Sequence, residues 1–230
     1  MNKLHIPPLD EQAAKAALEH QKILAKPPLA LGKLEPVAIQ IAAMTGNPAP
    51  RLKNKAVVLF ASDHHIADHG LSLTSTDVTY IQTRNFLQGG GTINAFTRNA
   101  GARLTVVDVG VNYDFGDLPG LVKRKVMHGA NDFSKGPAMT REQALECLQV
   151  GIDIAREEKA RGLDIVAAGE MGIGNTTTSS AVASVLLGRP VTEMTGRGAG
   201  LSDAGLHRKI DAIERGIARN HPDAADPLGV

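Results

Sequence analysis

The sequence predicts an α/β fold: a doubly wound, mostly parallel sheet preceded by a small helical N-terminal segment. Three observations carry this. Short continuous apolar runs recur at Ala56 to Ala61, Leu104 to Val109 and Ile165 to Ala168, as strands covered on both faces require. Stretches of helical periodicity separate them, giving a β–α–β–α–β–α alternation. A proline-rich break, Gly46-Asn47-Pro48-Ala49-Pro50, sets a helical segment, residues 1–50, apart from an α/β domain over residues 51–230.

Taken in order, Asp10 to Ala25 reads as a first helix. Asp10 is placed to cap it, and Ala13, Ala17, Leu18 and Leu24 give it an apolar side. Pro27-Pro28 ends it. Lys33 to Met44 gives a second helix, with Leu34, Val37, Ala38 and Ile41 near helical spacing. The first strand is followed by Ser62-Asp63-His64-His65 and a polar loop to Ser75. Asp77 is placed to cap a helix through Leu87, stopped by Gly89-Gly90-Gly91, and Thr92 to Asn99 forms another, closed by Gly101. The second strand leaves Asp108 and Gly110 at its carboxyl end, and Asn112 to Pro137 has no sustained period. Thr140 with Gln143 matches a capping box, opening a helix to about Arg161 whose Leu145, Leu148, Ile152 and Ala155 share one face. The third strand turns through glycines into a helix from Thr178 to Leu187. Ser202 or Asp203 caps a last helix, with Leu206, Ile210, Ile213 and Ile217 in a narrow arc.

Composition narrows the class of function. Hydrophobic residues are 43% and charged residues 21%, as in a soluble globular protein rather than a disordered one. Aromatics are 3% with no Trp, and 25 basic residues face 24 acidic ones, which argues against base-stacking or polyanion-binding surfaces. The single cysteine, Cys147, excludes an intrachain disulfide and a Cys-rich metal site. No apolar run is long enough for a membrane helix, and the first ten residues lack a signal-peptide core. A cytoplasmic protein acting on a small molecule is expected, with no nucleic-acid or membrane partner.

In a doubly wound sheet, ligands bind at the carboxyl ends of the strands. The segments there, Asp63 to Ser75, Asp108 to Asn112 and Gly169 to Thr177, are all polar and glycine-bearing, which points to one composite pocket. The turn Gly169-Glu170-Met171-Gly172-Ile173-Gly174-Asn175-Thr176-Thr177 joins a strand to a helix N-terminus. Free backbone N–H groups and the helix dipole there suit an anion, and missing Cβ atoms let a phosphate approach. Its spacing is neither the dinucleotide fingerprint nor a P-loop. A second glycine cluster, Gly196-Arg197-Gly198-Ala199-Gly200, opens the next helix. Lys209 falls at the edge of the last helix's apolar stripe, as a snorkelling surface lysine or a point charge for a phosphate. Asp63-His64-His65 with Asp68 and His69 reads either as a metal site or as the histidines of a polar active-site loop.

The nine-residue glycine motif, followed by Gly196-Arg197-Gly198-Ala199-Gly200-Leu201 and Arg208-Lys209, closely resembles that of nicotinate-nucleotide:dimethylbenzimidazole phosphoribosyltransferase. Further similar stretches are Lys26-Pro27-Pro28, Leu31-Gly32-Lys33-Leu34-Glu35, Phe60-Ala61-Ser62-Asp63-His64, Gly70-Leu71-Ser72 and Val107-Asp108-Val109-Gly110. The resemblance runs from about Leu9 to the end. It implies phosphoribosyl transfer from nicotinate mononucleotide to 5,6-dimethylbenzimidazole or a related base, giving α-ribazole phosphate and nicotinate in cobalamin synthesis. It also implies a homodimer that needs no metal or other cofactor. By matching positions, Glu170 and Gly172 lie at the nicotinate or ribose end, and Met171 and Ile173 of the same turn count among the substrate-binding residues. Gly174, Asn175 and Thr176, with Gly196, Arg197, Gly198 and Lys209, surround the phosphate, and Ser72 borders the base pocket.

Departures from the family pattern bear on activity. Its general base is a glutamate in a C-terminal region that has no match here, so the catalytic residue stays unassigned and the nucleotide-binding domain reads as incomplete. His65 stands where the family normally has Gly. Leu29-Ala30 replaces Gly-Ser, Ser75 replaces Pro, and Ile81-Gln82 differs from the usual Gln-Met, so the accepted base is open. The alternatives are a catalytically silent paralogue or subunit that binds the mononucleotide or base, and a metal-dependent phosphoesterase built on Asp63-His64-His65.

Overall fold

A computed structural model describes residues 5–230, which form two compact units dividing between Lys53 and Asn54. In the first unit, α1 (Glu11–Ile23) and α2 (Leu34–Thr45) pack together. Asp10 caps α1 as expected, its Oδ1 accepting from the Ala13 N–H at 2.9 Å. α1 buries Ala13 and Ala17, whereas Leu18 and Leu24 are exposed. The turn between the helices is fixed by Glu35, which is buried and accepts from Lys26 Nζ at 2.7 Å and the Leu31 N–H at 3.2 Å. These hydrogen bonds, Lys26 first, hold its carboxyl below the usual range. On α2, Leu34, Val37 and Met44 remain exposed.

The second unit is the α/β layer structure. Four strands, β1 (Lys55–Ser62), β2 (Ala102–Gly110), β3 (Leu121–Lys123) and β4 (Ile165–Met171), form a sheet in the order β3-β2-β1-β4. Every pairing is parallel. The chain builds outward from β1 in both directions, so the sheet is doubly wound. Between β1 and β2 lie α3 (Val78–Leu87) and α4 (Thr92–Ala100), and α5 (Arg141–Ala160) precedes β4. After β4 come α6 (Asn175–Leu187), α7 (Val191–Met194) and α8 (Asp203–Asn220). The strand alternation divides the core cleanly. Val58 and Val107 pack against Val150 and Ile154 of α5. Leu59 and Val106 face the other way, toward Phe86, Leu87 and Ile93 of α3 and α4. A third cluster joins Ile66, Leu71 and Phe133 to Ala212 and Ile213 of α8.

Several expectations need correction. β3 lies inside the stretch read as aperiodic, since three residues are too few to reveal alternation. β4 is not covered on both faces: among the described residues it is an edge strand, and Ile165 to Ala168 are exposed. On α5 the buried face is Val150, Ile154 and Glu158, while Leu148 and Ala155 are exposed. A charged residue marked the wrong side, because Glu158 is buried on hydrogen bonds from Thr105 Oγ1 at 2.7 Å and Arg103 at 2.8 Å. Asp77 precedes α3 with helical backbone angles and no capping bond. The Thr140–Gln143 capping box forms in both directions. α6 starts at Asn175, three residues before the expected Thr178. Ser202, not Asp203, caps α8. Among the described residues, no helix is long and apolar enough to cross a membrane.

Candidate functional site

The chain reverses its winding between β1 and β4, and the carboxyl ends of these neighbouring strands form the natural crevice. In register, Phe60 of β1 pairs with Glu170 of β4 and Ala61 with Met171. The next residues out are therefore Asp63 and His64 on one side and the glycine turn on the other. The backbone there is pinned: the His65 N–H donates to Ala130 O at 2.9 Å, and the Ala130 N–H to Asp63 O at 2.9 Å.

The turn and the second glycine loop meet over one side chain. Lys209 of α8 is only 1% exposed. Its ammonium donates to Thr176 Oγ1 at 2.7 Å and to Gly196 O at 3.1 Å, bridging the two loops. Gly198 sits against the same pair; a Cβ there would lie 2.9 Å from Thr176 Oγ1 and 3.6 Å from Lys209 Nζ. Lys209 has no carboxylate partner among the described ion pairs, and burial alone pushes its pKa down. A buried ammonium held by two neutral oxygens is short of negative charge, as a site for an anion would be. The snorkelling reading of Lys209 is therefore wrong.

Three N–H groups of the glycine turn are engaged within the protein: Ile173 donates to Thr79 Oγ1 at 3.1 Å, Asn175 to Gly172 O at 3.1 Å and Thr177 to Gly174 O at 2.9 Å. The turn's missing Cβ atoms make room for the protein itself. A Cβ on Gly172 would lie 2.2 Å from Ser62 O and 2.9 Å from the His64 ring, and one on Gly174, whose φ is +94°, 2.8 Å from Ala67. Gly196 alone in these loops has nothing within 4 Å of a built Cβ, so a ligand can approach there. The Met171 side chain packs under the Leu59–Val106 layer, leaving only its backbone to face a ligand. Arg197 is held within its own loop by Leu201 O at 2.9 Å and by Asp203, so its guanidinium is not free. Ser72 lies in the loop after Gly70, with its hydroxyl taken up by Thr74. That loop approaches the second glycine loop where Leu73 lies 3.7 Å from a Cβ on Gly200.

Glu170 projects from the end of β4 and is engaged by Asn175 Nδ2. Its other oxygen lies 3.8 Å from His64 Nε2. Sequence reasoning gave Thr79 and Thr178 no role in the site. Buried hydroxyls leave no sequence signal, and His64 was legible only as part of a histidine run. Beside His64 a cavity of about 90 Å³ is lined by Asp63, His65, Asp68, Thr76, Asp77, Tyr80 and Asn112. Asp63 Oδ2 accepts from the Asn112 N–H at 2.7 Å. The run gives no metal site: among the described residues, no three His, Cys, Asp or Glu side chains are grouped to hold an ion. His65 instead bonds Asp68 at 3.2 Å, and His69 bonds Asp132 at 2.6 Å.

A doubly wound domain that buries an unpaired lysine between two glycine loops at its switch point has the form of a phosphate-ester binder. The family model that matches, over residues 6–230, is described as phosphoribosyltransferase. The chain belongs to that phosphoribosyltransferase family. Over 225 residues it is 49% identical to the nicotinate-nucleotide–dimethylbenzimidazole phosphoribosyltransferase of Roseiflexus sp. (strain RS-1), covering 98% of this chain and 64% of that protein. The enzyme of the same name from Chloroflexus aggregans (strain MD-66 / DSM 9485) is 48% identical over 98% of this chain and 64% of its own length. The crystal structure of CobT from Thermus thermophilus aligns with a TM-score of 0.87 at 44% identity, covering 92% of this chain and 63% of that one. The chain thus spans under two thirds of the length of these relatives.

Proposed function

We propose that this chain carries the mononucleotide-binding part of a phosphoribosyltransferase that moves phosphoribose from nicotinate mononucleotide to 5,6-dimethylbenzimidazole or a related base. The observation that carries this is Lys209, buried between Thr176 and Gly196 with no carboxylate among the described residues to neutralise it. In this reading the 5′-phosphate sits at Gly196 within reach of Lys209, and the ribose extends toward Glu170. The names and high identity of the relatives support the same substrates.

The chemistry asks little of the donor side. The pyridinium nitrogen is already cationic, so breaking its bond to C1′ returns the electron pair to the ring and releases nicotinate without an acid. The lone-pair ring nitrogen of the incoming base forms the new bond to C1′, and the proton on its other ring nitrogen is then lost to a base or to water. The protein's work is to hold phosphate and ribose in line with that nitrogen. Residues 1–50 then form part of a small domain and residues 51–230 a nucleotide-binding domain. The reading extends to a cytoplasmic homodimer, and the exposed apolar stripe Leu34, Val37 and Met44 on α2 supports a covered surface.

The test is nicotinate release from nicotinate mononucleotide with dimethylbenzimidazole, followed by chromatography. Release that needs both substrates is expected. Binding of the mononucleotide without release above background would assign a binding subunit instead of a transferase.

A further inference from the structure

The Nε2 of His64 is buried and makes no hydrogen bond among the described residues. The charged group paired with it is Glu170, whose Oε1 lies 3.8 Å away, too far for a hydrogen bond but close enough to become one with a small shift. The other ring nitrogen, Nδ1, is 3.3 Å from Thr178 Oγ1, a hydroxyl also 3.0 Å from Asn175 O; when its one proton goes to Nδ1, the ring hydrogen sits on Nε2. The imidazole is thus anchored at one end and open at the other, toward a carboxylate that is itself half-exposed.

The loop is moulded on this ring. Gly172 and Gly174 lie where a Cβ would come within 2.9 Å of His64 Cδ2 and 3.3 Å of His64 Cβ. On the far side of Glu170, Asn175 Nδ2 holds the second carboxylate oxygen. Two donors therefore flank one carboxylate at the mouth of the crevice, only one of which is engaged.

We propose that His64 is a positioning residue for Glu170: its Nε2–H closes on the carboxylate and turns it toward the ribose of the bound mononucleotide. This rests on the mononucleotide reading of the site. The charged and titratable groups around the imidazole are Glu170 of β4, Asp63 beside it in the chain, His65 paired with Asp68, and Asp77 and Tyr80 across the cavity. Of these, Glu170 is the one paired with Nε2. A hydrogen bond to a charged acceptor is worth more than a neutral one, so its loss has a measurable effect on affinity.

Nitrogen-15 spectra of the ligand-free protein test the contact. Glu170→Gln, a change at an exposed side chain, is expected to shift the His64 Nε2 resonance; an identical resonance in both proteins overturns the proposal. Calorimetry tests the consequence with two probes. His64→Leu is expected to weaken nicotinate mononucleotide about tenfold while changing inorganic phosphate by less than about twofold, and His64→Gln, which keeps an N–H, should stay within about threefold of wild type. Equal weakening of both ligands, or equal loss in the Gln and Leu variants, indicates packing alone and overturns the proposal. Wild-type protein that binds neither probe refutes the mononucleotide reading instead, and the ligand-free spectra still decide His64.

Discussion

Lys209 shows a conflict between stability and binding at a single residue. Its pKa is pushed down by burial, so the folded state holds its proton less tightly than the unfolded chain. The penalty is complete below the folded value, where both states are protonated, and is relieved as pH rises through it toward 10.5. Lys209→Met should therefore raise stability near pH 7, on the order of 1 kcal/mol, and the gain over wild type should shrink in alkaline buffer. Thermal melts of both proteins across that range check the sign. Asp132 runs the other way. Burial pushes its carboxyl up, but hydrogen bonds from His69, Ser134 and Lys135 outweigh this and hold it well below the usual range. That stability is present above the unfolded value of 3.8 and lost as pH falls through the folded one. Asp132→Asn should cost about 1–3 kcal/mol at neutral pH, and its difference from wild type should close in acid, as denaturant titrations can measure.

At the scale of elements, the two glycine loops separate structural glycines from one open to a ligand. Gly172→Ala would drive a Cβ to 2.2 Å from Ser62 O, so it should destabilise the fold by about 2 kcal/mol or more. Gly196→Ala meets nothing within 4 Å, so its melting curve should match wild type while affinity for the mononucleotide falls. A Gly196→Ala variant that binds as well as wild type would remove the ligand from that loop. The edge strand makes a separate prediction. β4 pairs only with β1 among the described residues and is exposed over Ile165 to Ala168. Its outward amides should exchange with deuterium well before those of central β1, which mass spectrometry can resolve.

Over the whole molecule, the layered α/β order was legible because it rests on apolar runs and helical periods that survive averaging over many residues. Three strands, the paired N-terminal helices, the Asp10 cap and the Thr140–Gln143 box all follow from local chemistry. What escaped depends on partners distant in the chain. β3 is too short to show a period, and the buried face of α5 was hidden because Glu158 gains its partners from β2. Within the site, the two glycine loops could be read as a phosphate cradle, but Gly172 and Gly174 make room for His64, Ala67 and Ser62. The burial of Lys209 likewise needed the fold, since its wheel position alone suits a surface lysine equally well. The central claim is that this ammonium, clamped between Thr176 and Gly196, holds the phosphate of a mononucleotide. Titration calorimetry of nicotinate mononucleotide into wild type and Lys209→Met tests it most directly. Saturable binding by wild type that weakens about thirtyfold in the variant is predicted; equal affinity in the two proteins would contradict it.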